Sequence, residues 1–134
     1  MQVLAPSTRW PNMRFVRTEG TRPERAVRAA LLCLGQRFEC NVEGLPGTPD
    51  IVLSGKRAIF VHGCIWHGHD CKRGIVFGPD TASWRLAQAK NMARDRETYS
   101  LLADRQQWRL FVIWECETRD FENLKARLKS FLEG

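Results

Sequence analysis

A chain of 134 residues with 43% hydrophobic content is long enough for one compact domain, and short enough that a structural metal would add usefully to its stability. Its 21 lysines and arginines outnumber 15 acids, and the resulting +6 suits a polyanionic partner, because neutralising phosphates releases condensed counterions. No apolar run approaches roughly eighteen residues, no signal-type apolar region follows Met1, and five cysteines make an odd set, which argues against a membrane span or a secreted disulfide framework and for a cytoplasmic protein.

Residues 1–20 are basic and rich in Pro, Ser and Thr, and read as an N-terminal arm, leaving 21–134 as a single domain. The basic excess is concentrated early, with six arginines and two acids in residues 1–28. Thr21-Arg22-Pro23-Glu24 has the form of a capping box with Pro in the first turn. Val27, Ala30, Leu31 and Leu34 follow at helical spacing, and Gly35 offers a stop. Phe38–Val42 reads as a short strand before the Gly/Pro turn at 44–49. Ile51–Leu53 and Arg57–Val61 read as a strand pair joined at Ser54-Gly55-Lys56. Residues 63–80 read as a loop, and Ala82–Arg105 as a long helix. Leu110–Trp114 is a continuous apolar run, expected to be a central strand buried on both faces. Phe121, Leu124, Leu128 and Phe131 recur at helical spacing and close the chain. The order αβββαβα implies an α/β fold with a central mixed sheet flanked by helices.

The densest chemistry lies in Phe60-Val61-His62-Gly63-Cys64-Ile65-Trp66-His67-Gly68-His69-Asp70-Cys71, which contains all three histidines of the chain. Cys64, His69 and Cys71 form a C-x4-H-x-C set, and structural zinc takes four N or S ligands in a tetrahedron. Cys116, just past the last apolar strand, is the natural fourth; its alternative is a small core residue. Cys33 and Cys40 read as ordinary packed cysteines.

With His69 assigned to zinc, His62 and His67 remain, and the turn Pro46-Gly47-Thr48-Pro49 delivers Asp50 to the start of a strand. Phosphodiester hydrolysis requires a hard cation held by carboxylate, a base for water and charge for the phosphorane. One or two carboxylates suffice for Mg²⁺, and a neutral histidine can act as the base. Asp50 could instead close an Asx-type turn, and the two histidines could be satisfied loop residues. Glu24 is fully explained by its capping box, or could face Asp50 and hold a metal-bound water.

These residues resemble the very-short-patch repair (Vsr) mismatch endonucleases, from about Arg9 to Cys116. The resemblance rests on Asn12-Met13-Arg14, Pro23-Glu24, Leu45-Pro46-Gly47-x-Pro49-Asp50, Phe60-Val61-His62-Gly63-Cys64-x-Trp66-His67, Trp84, Lys90-Asn91, Arg94-Asp95, and Trp108-Arg109 through Trp114-Glu115-Cys116. It implies the fold of type II restriction enzymes, with Pro49-Asp50 as the PD of a PD-(D/E)xK signature and Phe60-x-His62 where the acid and lysine usually sit.

It further implies that Asp50 and the backbone carbonyl of Val61 bind Mg²⁺. His67 would activate water, His62 would assist at the phosphate, and Glu24 would hold a metal-bound water. Cys64, His69, Cys71 and Cys116 would bind structural zinc. The family nicks one strand 5′ of the thymine of a T:G mismatch, which starts very short patch repair. Trp66, with its neighbour Ile65, would enter the base stack, and Met13 would insert from the other groove. Arg14 and the other arginines of the arm would contact phosphates, and Asn91 would touch base edges. Ile65 stands where the family usually has a second aromatic, and Ala87 where some members have a lysine.

A bacterial, nucleoid-associated monomer acting on double-stranded DNA is expected, linked to a DNA cytosine methyltransferase and to repair proteins. The competing readings are a Vsr-like nuclease of other specificity, directed to restriction or lesion cleavage, and a non-catalytic zinc-containing DNA-binding module.

Overall fold

The computed structural model describes residues 20–64 and 82–134. Helix α1 (Arg22–Cys33) begins where Thr21, in extended conformation, accepts a bond from the Glu24 N–H at 3.4 Å and Pro23 occupies the first turn. Gly35, at φ +72, ends it, as the sequence suggested. Its inward residues Val27, Ala30 and Leu31 are fully buried, while Leu34 is partly buried.

Strands β1 (Glu39–Cys40), β2 (Ile51–Leu53), β3 (Arg57–His62) and β4 (Arg109–Trp114) form one sheet in that order. The first two pairings are antiparallel and the β3–β4 pairing is parallel, so the sheet is mixed. Between β3 and β4 runs helix α2 (Ala82–Tyr99), which widens into a π-helical turn over Ser100–Arg105. A 3-10 turn (Glu115–Thr118) then leads to helix α3 (Phe121–Glu133), capped by the Asp120 carboxylate on the Asn123 N–H.

Strand alternation sends β3 into two cores. Ile59 joins Ile51, Leu53, Ile113 and the inner faces of α1 and α3. Ala58 and Phe60 face the other way, onto Leu102, Tyr99 and Val112. The sheet is therefore a layer between α1 and α3 on one side and α2 on the other. The last turn of α3 contains no basic residue, and cations from the sheet take its carbonyls instead. Arg57 donates to Leu132 O at 3.4 Å, and Arg109 to Phe131 O at 2.9 Å.

Strand β4 departs from expectation in its position. Among the described residues it lies at the end of the sheet, and of its six residues Ile113 alone is fully buried. Its apolar run reports two packed faces, with Phe111 and Ile113 on one core and Leu110 and Val112 on the other, and packed faces do not require a neighbour on both edges. Strand β3 has the largest number of buried residues, four of its six. The expected long helix also ends its α-helical course at Tyr99 rather than Arg105.

Candidate active site

The PGTPD turn is held against α2 by a close approach. Gly47 has φ +76, and a Cβ there would lie 2.4 Å from Thr98 Cγ2 and 3.2 Å from Phe60 Cε1. Glycine is the residue that fits both the conformation and the space. Pro49 is buried behind it, and Asp50 O accepts from Asn41 N–H at 2.9 Å, which continues the β1–β2 ladder. Asp50 thus enters β2 with its backbone fixed.

Its side chain crosses to the next strand, where Oδ2 accepts from Val61 N–H at 2.7 Å. In an extended strand the N–H and C=O of one residue lie on the same edge, so the Val61 carbonyl faces the Asp50 side as well. Burial pushes the Asp50 carboxyl up to about 7. The Glu24 carboxylate adds to that rise, while the Val61 N–H and the Arg28 guanidinium oppose it.

Glu24 comes from the first turn of α1 and is 3% exposed. It does not close the expected reciprocal box onto Thr21. Its Oε2 accepts instead from Gly20 N–H at 3.0 Å and from Arg28 at 3.1 Å. Capping accounts for only part of its role, and its charge is felt at Asp50.

His62 ends β3 with its side chain on the α2 face, 6% exposed. Its Nε2 hydrogen-bonds the Tyr99 hydroxyl at 2.5 Å, and Asp95 Oδ2 lies 3.8 Å from the same nitrogen. The ring sits against Trp114 and Phe60, at centroid distances of 5.4 and 5.9 Å. Burial, then Asp95, then Asp50 push the Tyr99 phenol well above its ordinary range, so it remains protonated.

Past the strand ends, Cys64 is fully buried and its Sγ accepts from Cys116 N–H at 3.4 Å. The parallel register pairs His62 with Trp114, and two residues further on the same offset sets Cys64 against Cys116. Among the described residues no three His, Cys, Asp or Glu side chains form a metal-sized group.

Asp50, Glu24, His62 and Val61, with Cys64 and Cys116, therefore gather at the carboxyl ends of the parallel strands β3 and β4, where open α/β sheets bind ligands. Asn91 is on α2 but is 2% exposed, so it is not on a solvated helix face. Met13, Arg14, Ile65, Trp66, His67, His69 and Cys71 lie outside the described residues. Sequence reasoning gave no role to Tyr99, Asp95 or Arg28. The legible signal was that Asn91, Asp95 and Tyr99 recur every four residues and so share one face of α2.

A family model described as DNA mismatch endonuclease Vsr matches residues 1–73. The chain is 43% identical over 131 residues to the type II nicking enzyme V.XorIIP of Xanthomonas oryzae, covering 97% of this chain and 96% of that protein. It is 38% identical over 119 residues to the DNA mismatch endonuclease Vsr of Escherichia coli, covering 88% and 76%. The catalytic domain of the homing endonuclease I-Bth0305I superposes with a TM-score of 0.58 over 85% of this chain and 96% of that one, a likeness of fold at 23% identity. On these matches and this fold, the chain belongs to the Vsr family of DNA mismatch endonucleases and is a DNA endonuclease.

Proposed function

We propose that this endonuclease nicks one strand of duplex DNA 5′ of the thymine in a T:G mismatch, by Mg²⁺-dependent phosphodiester hydrolysis that starts very short patch repair. The observation that carries the reading is the Asp50–Glu24 pair beside the β3 edge, with the His62 imidazole one residue past Val61. The Asp50 carboxylate, whose proton affinity is raised chiefly by burial and further by the Glu24 carboxylate, forms with Glu24 and the strand carbonyl a hard-oxygen set that fits Mg²⁺. Asp50 and the Val61 carbonyl would hold it. When bound, the cation would supply positive charge at the scissile phosphate.

The chain's own groups then divide the remaining work. The Val61 N–H fixes one Asp50 oxygen and so orients the other. Glu24, anchored from Gly20 and Arg28, would hold a water in front of Asp50. His67 would take the proton of the attacking water, and His62 would assist at the phosphate. Trp66 and Ile65 would wedge into the stack from one groove and Met13 from the other, with Arg14 on phosphate. For Asn91 to read a base edge, DNA binding must uncover its buried amide.

The Cys64 thiol meets the Cys116 backbone at the strand ends, and the two cysteines, with His69 and Cys71, would complete a structural zinc site. A single nick requires a single site, which agrees with a monomer, and repair of DNA places the protein in the cytoplasm with the nucleoid. A functional link to a DNA cytosine methyltransferase and to repair proteins follows from the T:G target. The E. coli relative, by name a mismatch endonuclease, supports that target.

The test is nicking of labelled duplexes with Mg²⁺: T:G, matched T:A and C:G, and the other mismatches. Selective nicking 5′ of T in T:G is the expected result. Cleavage of matched DNA would assign another target to the same site, and tight binding without cleavage would reduce the chain to a DNA-binding module.

A further inference from the structure

Glu24 and Arg28 stand one turn apart on α1, the ordinary spacing of a solvated helix ion pair, yet this pair is not solvated. The Glu24 side chain is 4% exposed and that of Arg28 27%, and Arg28 Nη2 donates to Glu24 Oε2 at 3.1 Å. The Gly20 N–H donates to the same oxygen at 3.0 Å. A guanidinium presents Nε and Nη2 on one edge, and that edge commonly engages both oxygens of a carboxylate. In this pair Arg28 Nε is buried without a hydrogen-bond partner, and both bonds of the carboxylate converge on Oε2. A contact made for stability alone would use the second donor, because a buried N–H left unpaired is costly. The arrangement instead keeps Oε1 out of both bonds.

We propose that Arg28 is a positioning residue for Glu24: with the Gly20 N–H it fixes Oε2 and leaves Oε1 to the water that Glu24 would hold in front of Asp50. Its charge serves the same end. Glu24 stands close enough to Asp50 for the two carboxylates to oppose each other, and the Arg28 guanidinium counters that repulsion. Arginine suits the place because it cannot lose its proton and its planar group is held without rotating. The inference deepens the proposed function and rests on its reading of Glu24, while the anchorage of Oε2 is a property of the free protein.

The experiment is a double-mutant cycle of Arg28→Met and Glu24→Gln in the full chain, on a duplex that the wild type nicks. The single-turnover rate, the duplex affinity and the Mg²⁺ concentration that raises the melting temperature are each measured. Arg28→Met alone is expected to slow nicking and to raise the Mg²⁺ requirement about ten- to a hundredfold, at unchanged duplex affinity. With Glu24→Gln already in place, it is expected to change neither. An equal further loss in that background would show that Arg28 acts independently of Glu24, and a loss confined to duplex affinity would make it a phosphate contact. Either result overturns the proposal, as does a wild-type rate in Arg28→Met while Glu24→Gln is impaired. A wild-type rate in Glu24→Gln instead removes the reading of Glu24 on which the inference rests. Should Arg28→Met fail to fold, Arg28→Lys carries the same comparison, because it keeps the charge and lacks the planar edge. A loss that vanishes in the Glu24→Gln background is again expected; no loss, or equal losses in the two backgrounds, overturns the proposal.

Discussion

Cys64 Sγ accepts a hydrogen bond from the backbone N–H of Cys116 at 3.4 Å, across 52 residues of chain. The two cysteines meet because β3 and β4 run parallel with that same offset from Arg57↔Arg109 to His62↔Trp114. Any zinc bound there would clamp the strand ends that carry Val61 and His62, and would so couple metal binding to active-site geometry.

That coupling is testable by removing one thiol. Cys116→Ser is expected to lose bound zinc and to lower the melting temperature by several degrees, measured by metal analysis and calorimetry on the same preparation. Retention of one equivalent of zinc with an unchanged melting temperature would strike Cys116 from the ligand set.

Asp50 makes opposite demands on the free and the loaded protein. Its carboxyl is raised to about 7 from the ordinary 3.8, chiefly by burial. A raised folded-state value contributes stability that is present below the unfolded pKa and is lost as pH rises through the folded one. In chelator, wild type is thus expected to lose stability between about pH 4 and 7, on the order of 2 kcal/mol after discounting for solvent access. Asp50→Asn should lack that loss and be the more stable protein at pH 8. Denaturant titrations at several pH values decide it, and equal pH slopes for the two proteins would contradict the prediction.

The same substitution should abolish nicking. Removing the carboxylate that would hold Mg²⁺ is expected to slow single-turnover cleavage by about a thousandfold or more, with DNA binding retained. Excess EDTA should do the same to the wild type, reversibly on adding Mg²⁺. Undiminished cleavage in either case would remove the metal mechanism.

For His67 the expected signature is narrower. His67→Ala should fold and bind mismatched duplex like wild type, while the rate falls by about two to four orders of magnitude, the range for losing a general base. A wild-type rate would assign the proton to another group.

Gly47 links the site to α2 through packing alone. Gly47→Ala combines a side chain at φ +76 with a Cβ 2.4 Å from Thr98 Cγ2, and is expected to cost about 2 kcal/mol or more. Thr98→Ala in the same chain should recover part of the loss, since it removes the clash and leaves the backbone strain. Thermal melts of the single and double variants test this, and strict additivity would show that the two residues do not meet.

Element order, the cap of α1, the glycine stop and the three-residue turn between β2 and β3 were legible in the sequence. Each depends on residues a few positions apart, whose conformational preferences act without knowledge of the rest of the fold. The dense Cys/His segment and the PGTPD turn likewise pointed to an endonuclease, and the chain belongs to such a family.

Long-range geometry was not legible in the same way. An apolar run reports that the two faces of β4 are covered and says nothing of its edges, so its place at the end of the sheet appeared only on folding. Glu24 read either as a cap or as a carboxylate facing Asp50; that its charge does reach Asp50 while its carboxylate takes Gly20 and Arg28 depends on the packing of α1 against the sheet. Tyr99 carried a four-residue spacing from Asp95 that marked a face of α2 but not what that face would meet. Local preference determined which residues were available for chemistry; strand pairing and helix packing, which are summed over the whole chain, decided that Tyr99 would stand against His62 and Cys64 against Cys116.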